Sequence, residues 1–205
     1  MKEAAPALVI LAAGASRRMG RCKALLEFGG KSALQGLLDA GQHPLGPRPL
    51  VVTGADHEAI QAHVIARADV AHNERWQDGR VSSLLCALAA RPEQDLLLAP
   101  VDHPLVPGSV FSDLRQAWRA AGAPGHGWLA PRVDGPDGSA RYGHPIVIGR
   151  ELVQRAASLT LLDSVRDLRA RAAPLLSIPA DERVLLNVDC AQDLARARSL
   201  ENPSG

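Results

Sequence analysis

Residues 7–23 constrain the fold of this 205-residue chain more than any other stretch. The first part, which ends at Leu11, is a short run of apolar and β-branched residues, and such a run is typical of a strand buried on both faces. The second part, residues 14–23, is called the cationic loop here and carries three arginines and one lysine. In open α/β sheets, ligands bind where strands end, and a glycine-bearing cationic loop at that place favours small anions, above all phosphates.

The cationic loop fits neither of two common phosphate-binding motifs. A P-loop requires G-x-x-x-x-G-K-[ST], whereas five residues separate Gly14 from Gly20 and Lys23 follows three positions later. The Gly-Gly-Lys-Ser sequence that ends at Ser32 would need a glycine at position 25, where Leu25 stands. The chain also lacks the G-x-G-x-x-G of dinucleotide-binding folds.

Composition limits the classes of partner and compartment. The net charge of +1 argues against a general nucleic-acid or membrane surface, so any cationic site must be local. The three cysteines, Cys22, Cys86 and Cys190, have no metal-ligand spacing and fit reduced thiols in the cytoplasm. No apolar stretch approaches the roughly 20 residues of a membrane span, and the N-terminal run predicts a strand rather than a signal peptide.

Strand and helix patterns alternate along the chain. Helical spacing of apolar residues is found at 32–42, where Ser32 can act as N-cap, and again in a helix predicted over 107–121. Apolar runs predict strands at 50–53, 95–101 and 184–188. A turn-rich connection is predicted around residues 135–138, and a further helix is predicted over 160–171. We therefore expect one domain over residues 1–205 with a three-layer α/β/α, Rossmann-like architecture around a mostly parallel sheet.

Two carboxylates directly follow predicted strands. Asp102 comes after the apolar run at 95–101 and precedes Pro104, so it is either a turn residue or a Mg²⁺ ligand beside the cationic loop. Asp189 follows the run at 184–188, and it is either a helix N-cap or a second metal ligand.

The cationic loop and its strand resemble the signature of the molybdenum-cofactor nucleotidylyltransferase family, especially its cytidylyltransferase-like branch. The residues that carry this resemblance are Leu11, Ala12, Ala13, Gly14, Ser16, Arg18, Met19, Gly20 and Lys23. The resemblance implies that the nucleotide is bound by Leu11, Ala12, Ala13, Gly14, Ser16, Arg18, Lys23, Ser82 and Ser83. It also implies catalytic roles for Arg18, Lys23 and Asp102.

Further motifs are similar to those of the same family in the same order. Asp102 in an Asp-x-Pro and Asp189 in the closing motif match the family's two metal ligands, although Cys190-Ala191-Gln192 replaces the usual Thr-Pro-Glu. Gly143, His144 and Pro145 resemble a Gly-His-Pro on the acceptor side, where a lone histidine before proline is otherwise a turn residue. Packing by Trp76 and helix capping by Ser82 are the alternatives to nucleotide binding in that part of the chain.

The resemblance implies a Mg²⁺-dependent cytoplasmic transferase that moves CMP from CTP to a phosphate-bearing acceptor, molybdopterin, and releases pyrophosphate. A molybdoenzyme or its chaperone is the implied protein partner, with no role for nucleic acid or membrane. His103 departs from the glutamine that is frequent in the cytidylyl branch, and this departure concerns the acceptor. The alternatives are a guanylyl- or sugar-phosphate nucleotidylyltransferase and a non-catalytic delivery protein that binds nucleotide or cofactor with the same fold.

Overall fold

The computed structural model describes residues 5–158 and 165–201. Its strands are β1 Ala7–Ala12, β2 Glu27–Phe28, β3 Lys31–Ser32, β4 Leu50–Thr53, β5 Asp69–His72, β6 Leu96–Pro100, β7 Trp128–Asp134, β8 Ala140–Tyr142, β9 Ile146–Ile148 and β10 Leu175–Pro179. Its α-helices are α1 Ala33–Gly41, α2 His57–Val64, α3 Arg80–Ala90, α4 Gly108–Ala120, α5 Arg150–Gln154, α6 Val165–Ala170 and α7 Ala191–Glu201. Within these described ranges, no helix combines the length and apolar character that a membrane crossing requires.

The main sheet has eight strands and is built around β1. Its order is β10-β7-β9-β6-β1-β4-β5, with β8 paired to β7, and β2 and β3 form a separate ribbon. The pairs β1–β4, β1–β6, β4–β5 and β7–β10 are parallel, whereas β9 runs antiparallel to β6 and β7 and β8 runs antiparallel to β7. The predicted α/β/α architecture with a mostly parallel sheet is confirmed.

Apolar layers cover both faces of this sheet. Leu8 and Ile10 of β1 lie in a core cluster with α1, α2 and α4, whereas Ala7 and Val9 lie in a second cluster with α3, α5 and α6. All four residues are at most 2% exposed. Each fully buried large aliphatic side chain stabilises the fold by about 1.5–3 kcal/mol. Because neither face of β1 is left to solvent, the strand has the uninterrupted apolar run seen in the sequence.

The start of α1 follows the expectation from sequence. The Ser32 hydroxyl accepts a hydrogen bond from the Gln35 backbone N–H at 3.1 Å, and the Gln35 side chain accepts one from the Ser32 N–H at 3.1 Å. This reciprocal pair is a capping box, which satisfies two otherwise unpaired donors of the first turn. The predicted N-cap is therefore confirmed.

The strand predicted over residues 184–188 is wrong. Residues Glu182–Leu185 form a 3-10 helix, which begins where the Asp181 side chain accepts the Arg183 N–H at 2.9 Å. Instead of pairing along a strand, the segment makes single bonds across the carboxyl edge of the sheet. The Val188 N–H donates to the Asp102 carbonyl at 2.8 Å, and the Val184 carbonyl accepts from the His144 N–H at 3.0 Å.

Two other predicted segments differ from the structure. Strand β8 forms within the connection that is predicted to be turn-rich, and its exposed residues carry no apolar alternation that would predict a strand. Of the helix expected at 160–171, α6 forms the part at 165–170, and the beginning lies outside the described residues.

Candidate active site

A cavity of about 650 Å³ opens at the carboxyl ends of β1 and β6, at the place where ligands bind in α/β sheets. The cationic loop lines it after β1, Asp102 lines it after β6, and Asp189 lines it just before α7. The cavity thus brings together residues that are up to about 180 positions apart in sequence, as expected for a sheet edge where successive connections meet.

Ser16 organises the cationic loop. Its backbone has a positive φ of 50°, its carbonyl accepts the Met19 N–H at 2.8 Å, and its hydroxyl accepts the Lys23 N–H at 3.1 Å. Gly20 also has a positive φ, 63°, which glycine adopts without steric cost. These turns fold the loop back on itself, so that Arg17, Arg18 and Lys23 all line the cavity.

The neighbouring strand β4 packs tightly against the base of the loop. The Ala55 N–H donates to the Ala13 carbonyl at 3.1 Å, and a Cβ on Gly54 would lie 2.4 Å from that same carbonyl oxygen. It would also lie 2.7 Å from the Cβ of Trp76, which itself lines the cavity. Only glycine at position 54 therefore allows β4, the loop and Trp76 to meet.

Cys22, near the end of the cationic loop, carries a half-buried thiol. Burial, together with a hydrogen bond to Asp56, raises the pKa of Cys22 to about 11. The thiol therefore stays protonated near neutral pH, and it supports the loop rather than acting as a nucleophile.

Asp189 is held by two neighbours. Lys23 Nζ lies 2.5 Å from Asp189 Oδ1, and Asn187 Nδ2 donates to Asp189 Oδ2 at 2.8 Å. The hydrogen bond from Lys23 is the largest influence that lowers the pKa of Asp189, which is therefore ionised at neutral pH. Asp193, in the first turn of α7, holds the start of that helix, because its Oδ2 accepts the N–H groups of Asp189 and Cys190, both at 2.9 Å.

The oxygen atoms at this place fit a hard divalent cation. Asp102 Oδ1 and Asn187 Oδ1 are buried and have no hydrogen-bond partner in the part of the chain that the structure describes. Their residues and Asp189 line the same cavity. Mg²⁺ prefers carboxylate and carbonyl oxygens and keeps sites open for substrate phosphates, so this donor set suits it. Among the described residues, no group of three or more His, Cys, Asp or Glu side chains is placed to hold a metal ion by itself.

Two histidines stand beside Asp102. His103 and His144 have ring centroids 4.9 Å apart, and both line the cavity. Burial lowers the pKa of His144 to about 3 and also lowers the pKa of His103. Both rings are therefore neutral at pH 7. The buried Nδ1 atoms of both rings have no partner within the described residues, so each can exchange a hydrogen bond with a ligand.

Ser82 and Ser83, which are predicted to bind nucleotide, share one hydrogen-bond donor. Asn73, which is 5% exposed, donates from Nδ2 to the hydroxyls of Ser82 at 2.8 Å and Ser83 at 3.1 Å. Ser82 also donates to the Gly79 carbonyl at 2.8 Å, which ties it to the residue before α3, but it does not cap the N–H groups of that helix. Ser83 lines the cavity and Ser82 does not.

The structure brings most, but not all, of the predicted site residues to the cavity. Those that line it are Leu11, Ala13, Gly14, Ser16, Arg18, Lys23, Ser83, Asp102, His144 and Asp189. Ala12, Ser82, Gly143 and Pro145 are buried beside it. At position 143 a Cβ would lie 2.3 Å from the Val184 carbonyl oxygen, so glycine there serves backbone packing.

Sequence reasoning missed three cationic residues of the cavity. Arg80 lies at the start of α3, and Arg166 and Arg169 lie on α6. The i, i+3 spacing of the last two predicts a shared helix face, but the sequence does not show that this face turns towards the nucleotide loop.

A family model described as the MobA-like NTP transferase domain matches residues 8–197. Among solved structures, Rv0371c from Mycobacterium tuberculosis H37Rv is 25% identical with a TM-score of 0.77, and the alignment covers 96% of this chain and 98% of that one. A manganese complex of the same mycobacterial protein has a TM-score of 0.74 at 25% identity, with 95% and 98% covered. Molybdopterin-guanine dinucleotide biosynthesis protein A from Archaeoglobus fulgidus is 17% identical, covers 96% of this chain and 99% of its own, and has a TM-score of 0.72.

No curated protein sequence matches the chain. The family model nevertheless spans nearly all of it, from the first strand to the last helix. The chain therefore belongs to the MobA-like NTP transferase family.

Proposed function

We propose that this protein transfers CMP from CTP to a phosphate-bearing acceptor, molybdopterin, with Mg²⁺, and releases pyrophosphate. The observation that carries the proposal is the meeting of the cationic loop with Asp102 and Asp189 in one cavity, where Lys23 and Asp189 touch. The family supports the nucleotidyl-transfer chemistry. The neighbour named for molybdopterin-guanine dinucleotide biosynthesis supports the acceptor, and the neighbour in complex with manganese supports a divalent metal.

In this reaction an oxygen of the acceptor phosphate forms a bond to the α-phosphorus of the nucleotide. The bond from that phosphorus to the bridging oxygen of the β-phosphate breaks, and pyrophosphate leaves with the electron pair. The attacking oxygen is already anionic, so no general base is needed. The main barrier is therefore repulsion between two anions and the charge that builds on the leaving group.

Residues of the cavity lower that barrier. Arg18 and Lys23 face the cavity from the cationic loop and neutralise the triphosphate, whose oxygens the loop's backbone N–H groups also contact. Asp102 and Asp189, with Asn187, would hold the metal. When it is bound, Mg²⁺ supplies Lewis-acid neutralisation at phosphate oxygens. Neutral His103 and His144 remain available as hydrogen-bond partners for the acceptor.

The proposal of CTP rests on the loop's first turn. Leu11, Ala13 and Gly14 line the cavity, and the methyl group of Ala13 stands where the guanylyl branch of the resembling family carries a second glycine. A methyl-sized change in a pocket contributes only about 1–3 kcal/mol of discrimination. Hydrogen bonds from the backbone to the edge of the base must therefore add to it. The proposal includes a cytoplasmic protein that works with a molybdoenzyme or its chaperone.

Thermal denaturation with CTP, GTP, ATP or UTP, each with Mg²⁺, tests the nucleotide. A ligand at 100 times its dissociation constant stabilises the folded state by about 2.7 kcal/mol. In a domain of this size that corresponds to a rise of roughly 5–10 °C in the melting temperature. We expect the largest rise with CTP and release of pyrophosphate when molybdopterin is added. A larger rise with GTP would favour guanylyl transfer, and binding without turnover would favour a delivery protein.

A further inference from the structure

Three arginines of the cavity lie outside the cationic loop and have no role in the mechanism above. They are Arg80 at the start of α3 and Arg166 and Arg169 on α6. We propose that these arginines form a second anion subsite, which holds the phosphate of the acceptor while the cationic loop holds the triphosphate. This inference rests on the proposed function and deepens it, because it assigns residues to a phosphomonoester acceptor.

The order of the strands separates the two anion sites. The cationic loop follows β1, Asp102 follows β6, and His144 precedes β9, so the cavity runs along the sheet in the order β1, β6, β9. Strand β7 is next, and its partner β8 ends at Tyr142, which also lines the cavity. Arg169 lies against Tyr142, so it reaches the cavity at the β7–β8 end of this strand order.

Helix α6 presents its arginines from a fixed position. Leu168 is fully buried in the core cluster that also contains α3 and α5, so it anchors this short helix. The guanidinium carbon of Arg169 lies 5.0 Å from the centre of the Tyr142 ring. A cation over an aromatic ring at this distance is attracted by it, which limits the positions of the guanidinium without neutralising its charge.

Among the described residues, two of the cavity arginines lack the carboxylate partners that many arginines have elsewhere in the chain. Arg67 pairs with Asp39 and Arg183 pairs with Asp181 on the surface. Within residues 5–158 and 165–201, by contrast, neither Arg80 nor Arg166 has a side-chain ion pair or hydrogen bond. Like charges at i and i+3 on one helix also repel each other, and an anion between them relieves that repulsion.

Arg80 extends the same positive region towards the histidines. It lines the same cavity as His103 and His144, and its charge contributes to the lowered pKa of both rings. Guanidinium groups bind phosphate oxygens through paired N–H donors, and several of them around one cavity favour a dianionic phosphate over a neutral ligand. The chemical class of acceptor that fits is therefore a phosphomonoester.

Titration with inorganic phosphate tests the subsite without the acceptor. The melting temperature of the whole chain is followed against phosphate concentration at constant ionic strength, with sodium chloride as the reference salt. One series contains saturating CTP and Mg²⁺ to occupy the cationic loop. A second series uses Lys23→Ala without nucleotide, so that it remains informative even if CTP does not bind.

We expect Arg166→Gln and Arg169→Gln to raise the apparent dissociation constant for phosphate about tenfold or more in both series, the usual effect of losing a hydrogen bond to a charged group. Arg166→Lys should lose less, because it keeps the charge but not the fork of donors. The matched control is Arg171→Gln, whose residue is exposed, donates to the Ser158 hydroxyl at 3.2 Å and lies outside the cavity. The melting temperature without phosphate reports whether each variant is folded.

The inference is overturned if wild-type protein shows no phosphate effect beyond that of chloride. It is also overturned if the α6 variants bind phosphate as tightly as the Arg171→Gln control. Phosphate binding that depends on Arg166 in a protein that transfers no nucleotide would retain the subsite and reject the proposed function. If the protein transfers nucleotide and the α6 variants lose no phosphate affinity, the proposed function is retained and the subsite is rejected.

Discussion

Replacing Asp189 by asparagine distinguishes the two interactions of this side chain. The asparagine keeps an acceptor for the hydrogen bond from Asn187 but loses the negative charge that holds Lys23. Lys23 Nζ lies 2.5 Å from the carboxylate, with the lysine side chain 14% exposed and the aspartate side chain 33% exposed. In the absence of metal, a triphosphate must compete with this carboxylate for Lys23. We therefore predict that Asp189→Asn binds CTP more tightly than wild type when no metal is present.

The exposed fractions of the Lys23 and Asp189 side chains determine the expected size of this change in CTP affinity. Exposed ion pairs contribute about 0.2–1 kcal/mol, whereas breaking a buried pair costs about 3–5 kcal/mol. This pair lies between those limits, and water screens it on the carboxylate side, so releasing Lys23 should favour the triphosphate by about 1–2 kcal/mol. That free energy corresponds to a factor of about 5–30 in the dissociation constant.

Calorimetric titration of CTP in EDTA and in Mg²⁺ measures the effect. In EDTA we expect Asp189→Asn to bind more tightly and Lys23→Met more weakly than wild type. In Mg²⁺ the asparagine variant should gain less affinity from the metal, because one oxygen ligand has lost its charge. Asp181→Asn, which breaks the surface pair with Arg183, is the control. If Asp189→Asn weakens binding in EDTA as much as Lys23→Met does, the competition between carboxylate and triphosphate is not present.

Three further variants test other parts of the site. Asp102→Ala should abolish pyrophosphate release in the presence of Mg²⁺ and acceptor while it keeps the melting temperature, and release at the wild-type rate would remove Asp102 from the reaction. The pKa of His144 is about 3 in the folded chain and 6.5 in the unfolded chain. Between pH 6.5 and pH 3 only the unfolded chain binds this proton, so the free energy of unfolding should fall as the pH drops through this interval. His144→Gln should flatten that dependence in urea titrations, and it should lower turnover with acceptor without changing CTP affinity. Gly143→Ala should destabilise the fold by about 1–3 kcal/mol, because its Cβ meets the Val184 carbonyl oxygen, and unchanged urea stability would contradict that contact.

Local sequence patterns predicted those parts of the fold whose structure depends only on residues close together in the sequence. Strand β1 is buried on both faces, so its apolar run was sufficient to identify it. The N-cap of α1 is also local, since Ser32 and Gln35 are three residues apart. Residues 184–188 are also apolar except for Asn187, but they cover the edge of the sheet and contact it through isolated hydrogen bonds. An apolar run alone does not distinguish a strand from a covering segment.

The predicted site differs from the cavity for a related reason. The motif from Leu11 to Lys23 is continuous, and its residues reach the cavity because one turn carries them. Whether a buried neighbour lines the cavity depends on the side of the chain it occupies, which separates Ser83 from Ser82 and His144 from Gly143. Arg166 and Arg169 reach the same cavity from a helix more than 140 residues after the loop, and only tertiary packing shows where their face turns.

The distribution of charge connects these observations to function. Six arginine and lysine side chains and two aspartates line the cavity, so it carries a charge of +4, whereas the whole chain carries +1. The rest of the molecule is therefore net negative and does not attract polyanions over its whole surface. Concentrating the positive charge in one concave place raises the local concentration of small anions there, and the nearby carboxylates limit this attraction until a divalent cation neutralises them. Such an arrangement favours the joint binding of two phosphate-bearing substrates and a metal over the binding of either substrate alone.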